Sequence, residues 1–108
     1  MKKKEKILRE ISRLAKQMFG NGGGSVYLYG SQARDEATRQ SDWDLLVITD
    51  DHLSPHGGDE FMQFSFPFME MGWKLGAQIT TIHYSRSQWD AQRDTLFYHN
   101  VTADAIRL

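Results

Sequence analysis

Near the start of the chain, apolar residues recur at helical spacing, at Ile7, Leu8, Ile11, Leu14, Ala15, Met18 and Phe19, and the run stops at Gly20-Asn21-Gly22-Gly23-Gly24. The spacing predicts an amphipathic helix over residues 3–19 with a glycine C-cap. Ser25-Val26-Tyr27-Leu28-Tyr29 is β-branched and aromatic and ends at Gly30-Ser31, which predicts a strand, a tight turn and a short helix over residues 32–38. Asp42 to Asp50 reads as a second strand. It is acidic at its start and apolar through Leu45-Leu46-Val47-Ile48, the pattern of a central strand buried on both faces. His52 to Asp59, with Pro55 and Gly57-Gly58, reads as a loop. Residues 59–75 are aromatic-rich and read as helix, kinked or restarted at Pro67. Ala77 to Tyr84 predicts a third strand, and Ser85-Arg86-Ser87-Gln88 the cap of a last helix beginning near Trp89. The tail from Phe97 to Leu108 fits no single element.

Composition narrows the picture. A chain of 108 residues, 40% apolar, has the size of one domain with one ordinary core, so residues 1–108 are expected to form a single domain. No run reaches the roughly 18 apolar residues of a membrane span, and Lys2-Lys3-Lys4 leads into an amphipathic pattern rather than a signal-peptide core. The absence of cysteine excludes disulfides and thiolate metal sites and suits a reducing compartment, so the expected location is the cytoplasm. With 13 basic against 14 acidic residues, no whole-molecule field draws the chain to nucleic acid or anionic lipid, and a polyanionic ligand has to be met locally. Lys2, Lys3, Lys4, Lys6, Arg9, Arg13 and Lys16 concentrate on the first helix and read as a solvated face.

The chemistry lies in the stretch from Tyr29 to Val47. Side chains alternate along a strand, so Asp42 and Asp44 point to one face and Trp43 to the other. Two converging carboxylates call for a cation, and their hard oxygens suit Mg²⁺ (or Mn²⁺), which is typically held by one or two carboxylates and completed by substrate phosphates and water. Gly30 lacks the side chain that would obstruct a phosphate, and Ser31 offers a hydroxyl and a backbone N–H where a helix is expected to begin, a favourable place for an anion. Four fixed residues at about 5–7% background each coincide in a given window on the order of once in 10⁵, which disfavours accident.

Gly30-Ser31, ten residues, then Asp42-x-Asp44 resembles the minimal nucleotidyltransferases of the DNA polymerase beta-like superfamily. Ala33, Arg34, Ser41 and Leu45-Leu46-Val47 are similar too. Weaker likeness extends to Trp73-Lys74-Leu75-Gly76, Tyr84-Ser85 to Trp89, and Phe97-Tyr98-His99-Asn100-Val101. The resemblance implies an α/β (α+β) fold, a small mixed β-sheet flanked by helices. It also implies a nucleoside triphosphate substrate, with ATP expected, and transfer of a nucleoside monophosphate, expected to be AMP, to a hydroxyl with release of pyrophosphate. In these terms Asp42 and Asp44 are the catalytic metal ligands, Gly30 and Ser31 bind the triphosphate, and Arg34 is a further phosphate contact. For Arg34, an exposed pair with Asp35 and Glu36 is an equally good reading.

One feature departs from the family pattern. The third carboxylate expected from a later strand falls on Thr80, or else Gln78, in Gln78-Ile79-Thr80-Thr81-Ile82-His83, and neither is acidic. A positioned general base typically contributes 10²–10⁴ in rate, and a threonine hydroxyl does not serve as one near neutral pH. Asp50, Asp51, Asp59, Glu60 and Glu70 are the candidates to substitute, although each also reads as a solvated acid. His83 should lie on the face opposite Thr80, and Pro55 with its neighbouring glycines makes a zinc site at His52 and His56 improbable.

The chain has no evident acceptor-binding domain, so a partner is expected to hold the acceptor. The segment containing Phe61, Phe64, Phe66, Phe68 and Trp73 has more than one apolar face, leaving part of it for a homodimer or a second protein. The family resemblance implies small helical partners, as in bacterial toxin–antitoxin modules. Two functions follow: a Mg²⁺-dependent nucleotidyltransferase acting on a partner protein or small molecule, or a catalytically impaired nucleotide- or partner-binding module such as the antitoxin-like half of a pair.

Overall fold

The computed structural model describes residues 2–38, 41–53 and 61–108, with the side chain of Phe61 excepted. Helix α1 (Lys3–Phe19) is followed by strand β1 (Gly24–Tyr29) and strand β2 (Trp43–Thr49). After a short 3₁₀ turn at Asp51–Leu53 come a π-helical turn at Phe61–Ser65 and helix α2 (Phe66–Leu75). Strand β3 (Ile79–Ser85), helix α3 (Arg86–Asp90), helix α4 (Leu96–Asp104) and strand β4 (Ile106–Arg107) complete the order. The four strands form one mixed sheet in the order β3-β2-β1-β4. β1 pairs antiparallel with β2 and β4, and β2 pairs parallel with β3.

The continuous apolar run of β2 puts it inside the sheet, where both faces must be covered. On one face Trp43, Leu45 and Val47 join Val26, Leu28 and Ile79 against Ile7, Ile11 and Ala15 of α1 and Phe64 and Phe68. On the other, Leu46 and Ile48 meet Trp89 of α3 and Val101 of α4, with Tyr27, Tyr29, Ile82 and Tyr84 around them. Asp42 and Asp44 share the parity of Leu46, so they belong to the α3/α4 face, at the end of the strand where it begins.

α1 has the expected bounds and ends on the expected glycine C-cap, Gly20, which is itself right-handed (φ −61°); the reversal is made by Gly22 and Gly23 at φ 97° and 93°. Other expectations need correction. Residues 31–35 form successive turns rather than a helix, with Gly30 O accepting from Ala33 and Arg34 N–H and Ser31 O from Glu36 N–H. Four residues between two left-handed positions, Gly30 and Asp35 (φ 77° and 58°), are too few to repay helix nucleation. Pro67 restarts the helix, sitting in the first turn of α2, where its missing N–H costs nothing. The capping box of Ser85 and Gln88 forms, but the helix it caps is the short α3, and the tail folds into α4 and β4. The expected loop to Asp59, with His56, lies largely outside the described residues, as do Arg39 and Glu60.

α2 is drawn tightly onto the sheet at Gly72. A Cβ there would approach the Ala77 carbonyl to 2.8 Å and Ile79 Cγ1 to 2.9 Å. Alanine is the better helix former by about 1 kcal/mol, yet Gly72→Ala should lower stability by roughly 1–3 kcal/mol, because overpacking against backbone outweighs propensity. Urea denaturation monitored by circular dichroism measures this, and a stabilised variant would refute the tight approach.

Candidate active site

Pairing of β1 with β2 sets Tyr29 opposite Asp44, and the next residue, Gly30, turns the chain over that carboxylate. A Cβ built on Gly30 would collide with Asp44 Oδ2, and the φ of 77° is in the left-handed region. Both facts require glycine here. The Gly30-Ser31 turn and the Asp42/Asp44 pair, separated by ten residues in sequence, therefore form one surface. The parallel pairing of β2 with β3 sets Thr80, which is exposed, beside Asp44, so the position expected to carry a third acid does abut the carboxylate pair.

None of the described substitutes for that acid reaches the site. Asp51 accepts hydrogen bonds from Ser87 N–H and Oγ, and Asp50 pairs with Arg86 at 3.5 Å. Both lie at the far end of β2, about 20 Å from Asp44 at ~3.3 Å per residue. Glu70 is on α2, facing Lys74 at 3.9 Å. His83 is on the opposite face, hydrogen-bonded to Thr49 Oγ1 at 2.8 Å and against Phe64. Among the described residues no third His, Cys, Asp or Glu joins Asp42 and Asp44 in a metal-holding group.

The model of the nucleotidyltransferase domain family matches residues 5–92. The chain belongs to that family. The reaction of the family is nucleotidyl transfer, which makes a nucleotide its substrate class. The fold is similar to the crystal structure of a candidate nucleotidyltransferase from Sulfolobus solfataricus, with a TM-score of 0.59 and 20% identity, covering 94% of this chain and 76% of that one; at that identity the likeness speaks for the fold alone. No curated protein matches the chain. Among the described residues of this nucleotidyltransferase domain, no helix is long and apolar enough to cross a membrane.

The electrostatics of the site suit a cation. Partial burial holds the Asp44 carboxyl above its ordinary range, the negative charge of Asp42 raises it further, and Arg34 opposes both. Burial, and then the Asp44 charge, push the Tyr29 phenol up to about 12, so it stays neutral. Two carboxylates offering hard oxygens in a repulsive pair, Asp44 half-buried and Asp42 exposed, fit a divalent cation, which would relieve the repulsion. Arg34 donates through Nη1 to Asp104 at 2.6 Å and through Nε to Glu36 at 3.1 Å. The Glu36 contact was legible in the sequence. The Asp104 contact was not, since 70 residues separate the pair and no local pattern links them.

The raised Asp44 value means that the folded state holds this proton more tightly than the unfolded chain does. The ionised carboxylate therefore weakens the fold above that raised value, and the cost vanishes as pH falls below the unfolded value of about 4. Asp44→Asn is expected to raise the melting temperature of metal-free protein at pH 7, with the gain shrinking to nothing near pH 3.5. Melting curves of both proteins across that range check it, and a variant less stable than wild type at pH 7 would contradict the assigned repulsion.

Proposed function

We propose that the chain is a Mg²⁺-dependent nucleotidyltransferase that moves a nucleoside monophosphate from a triphosphate, with ATP the expected donor, to a hydroxyl on a partner. The observation that supports this most directly is the seating of Gly30 on the Asp44 carboxylate, which joins the phosphate turn and the carboxylate pair in one site. The Ser31 hydroxyl and the turn amides receive the triphosphate, whose charge the Arg34 guanidinium meets with donors not used on Asp104 and Glu36. Asp42 and Asp44 hold the metal. When bound, a divalent cation supplies Lewis-acid polarisation of the phosphoryl oxygens and neutralises developing charge. The acceptor oxygen attacks the α-phosphorus, the bond to the β-phosphate bridging oxygen breaks, and pyrophosphate leaves. No described carboxylate or imidazole joins the pair, so the acceptor's proton passes to solvent.

The acceptor is held by a partner, either a second copy or a small helical protein such as the other half of a toxin–antitoxin pair. Exposed apolar side chains support that reading on both sides of the sheet: Trp73 at 58% on α2, and Leu96 at 76% on α4. Phe97, next to Leu96, packs edge-on to Tyr29 at 6.5 Å, which sets this ledge beside the site.

A second reading, a nucleotide-binding module without turnover, rests on Thr80. Each of the four nucleoside triphosphates with Mg²⁺ should be assayed for thermal shift and pyrophosphate release, alone and with candidate partners, with Asp42→Ala/Asp44→Ala as control. Shift and release that both vanish in the control support the enzyme; shift without release supports the module; no shift refutes both.

Restoring the acid gives a sharper expectation. Thr80→Asp places a carboxylate beside Asp44 in register and should raise pyrophosphate release about 10²-fold, within the range for a positioned base. It should also lower the melting temperature of metal-free protein through added like-charge repulsion. Unchanged release would show that Thr80 does not occupy the base position.

A further inference from the structure

Seven of the 13 basic residues but only two of the 14 acidic ones lie within residues 2–16, so the remainder of the chain has six bases against 12 acids. The fold puts this local excess in order. Ile7, Ile11 and Ala15 define the side of α1 that is buried in the core. At about 100° per residue, Lys6, Arg9, Arg13 and Lys16 all fall within a sector of about 80° directly opposite that side, and all four are exposed. Every α1 residue in the sector is basic, while Glu5 and Glu10 lie outside it. Lys2, at the N-cap, prolongs the row.

The row is scarcely neutralised by the protein. Of these five cations, only Arg13 has an acidic partner among the described residues, Glu10 at 3.3 Å. At about 1.5 Å per residue, Lys2 to Lys16 spans about 21 Å. It begins near the turn after Gly30, where Lys4 pairs with Asp35 at 2.6 Å, and runs along the side of the sheet opposite Asp42 and Asp44.

The chemistry of this face selects its partner. A basic amphipathic helix lies on a membrane only with its apolar side free, and here that side is in the core. Protein interfaces are depleted of lysine and centred on apolar or aromatic anchors, and none of the exposed large apolar side chains among the described residues is on α1. A long row of cations with only charge to offer matches a ligand whose charge repeats along a line, the phosphodiester backbone of nucleic acid. Single strands are held largely by stacking their bases on aromatic rings. Phe19, the one aromatic residue of α1, is stacked on Phe64 instead. A duplex, with its bases stacked inside, asks only for charge.

We infer that the outer face of α1 binds the phosphate backbone of a nucleic-acid duplex without sequence preference, with Lys6, Arg9, Arg13 and Lys16 on phosphate oxygens. The acidic remainder of the chain repels the same backbone and so confines the contact to this helix. The inference goes beyond the proposed reaction and does not rest on it.

Fluorescence anisotropy follows labelled duplexes of about 20 base pairs, DNA in two unrelated sequences and RNA in one, titrated with protein in EDTA between about 50 and 200 mM salt. Saturable binding is expected at the low end, indifferent to DNA sequence, with log affinity falling against log salt at a slope of about −4, as for four to five phosphate contacts. The DNA and RNA arms show which duplex is preferred. Lys6→Ala/Arg9→Ala/Arg13→Ala should flatten the slope by about three and weaken low-salt binding more than tenfold. It should melt as wild type does, because alanine is at least as good a helix former at these solvent-facing positions. Lys74→Ala/Arg86→Ala/Arg93→Ala removes the same charge from exposed positions elsewhere and should leave both quantities nearly unchanged. Absence of saturable binding to every duplex overturns the inference, as does an equal loss in the two triple variants or tighter binding of the matching single strand. Displacement of the duplex by polyglutamate as effectively, charge for charge, as by unlabelled duplex would also overturn it and make the partner an acidic protein.

Discussion

The site depends on one constraint, the hydrogen-bonded register between β1 and β2. That pairing runs from Gly24 opposite Thr49 to Tyr29 opposite Asp44, so the residue after Tyr29 has to cross the Asp44 carboxylate. Only a residue without a Cβ and free to take a left-handed φ can do so. A slip of one residue would exchange the faces of the strand, turning Asp44 into the packed side of α1 and Trp43 to the outside. The core and the site are therefore specified by the same ladder. Leu45 and Val47 on one face and Leu46 and Ile48 on the other are all buried, so the faces of this strand are told apart by Trp43 and Asp44 and not by the apolar run.

Electrostatically, the site is arranged against the interest of the empty fold. Asp42 and Asp44 repel, burial makes the Asp44 charge harder to hold, and β3 presents a hydroxyl where a further charge is expected from the family pattern. The opposing cation Arg34 is engaged by Asp104 and Glu36. Such an arrangement is common where a ligand supplies the missing charge, and structural optimisation alone would not retain it. Asp104 also ties the end of α4 to the turn after Gly30, so α4 contributes to the candidate site without a motif of its own.

The two helical layers have different tasks. α1 and α2 close the apolar face through Ile11 and Phe68, both fully buried. α3 and α4 cover only part of the opposite face, packing Trp89 on Tyr84 and Tyr98, and stop short of the aspartates.

Much of this was legible in the order of residues. Period-2 and period-3.6 patterns located α1, β1, β2 and β3 because burial of one face or both leaves a local record. The Gly30-Ser31 and Asp42-x-Asp44 spacing pointed to residues that the fold brings together, because they are close in sequence, and alternation alone placed His83 opposite Thr80. The turn at 31–35 was misread as helix because propensity carries no information on left-handed termini closing both ends. Asp50, Asp51 and Glu70 looked like candidate acids until the fold put them elsewhere, since sequence distance does not give distance in space. What the sequence determined by itself was α1, the three long strands and the residue types of the candidate site. The tertiary structure alone decided that Asp104 engages Arg34, that Thr80 abuts Asp44, and that Gln32 Oε1 is buried without a partner. Each of these is a meeting of side chains brought together by packing, and no local pattern records it.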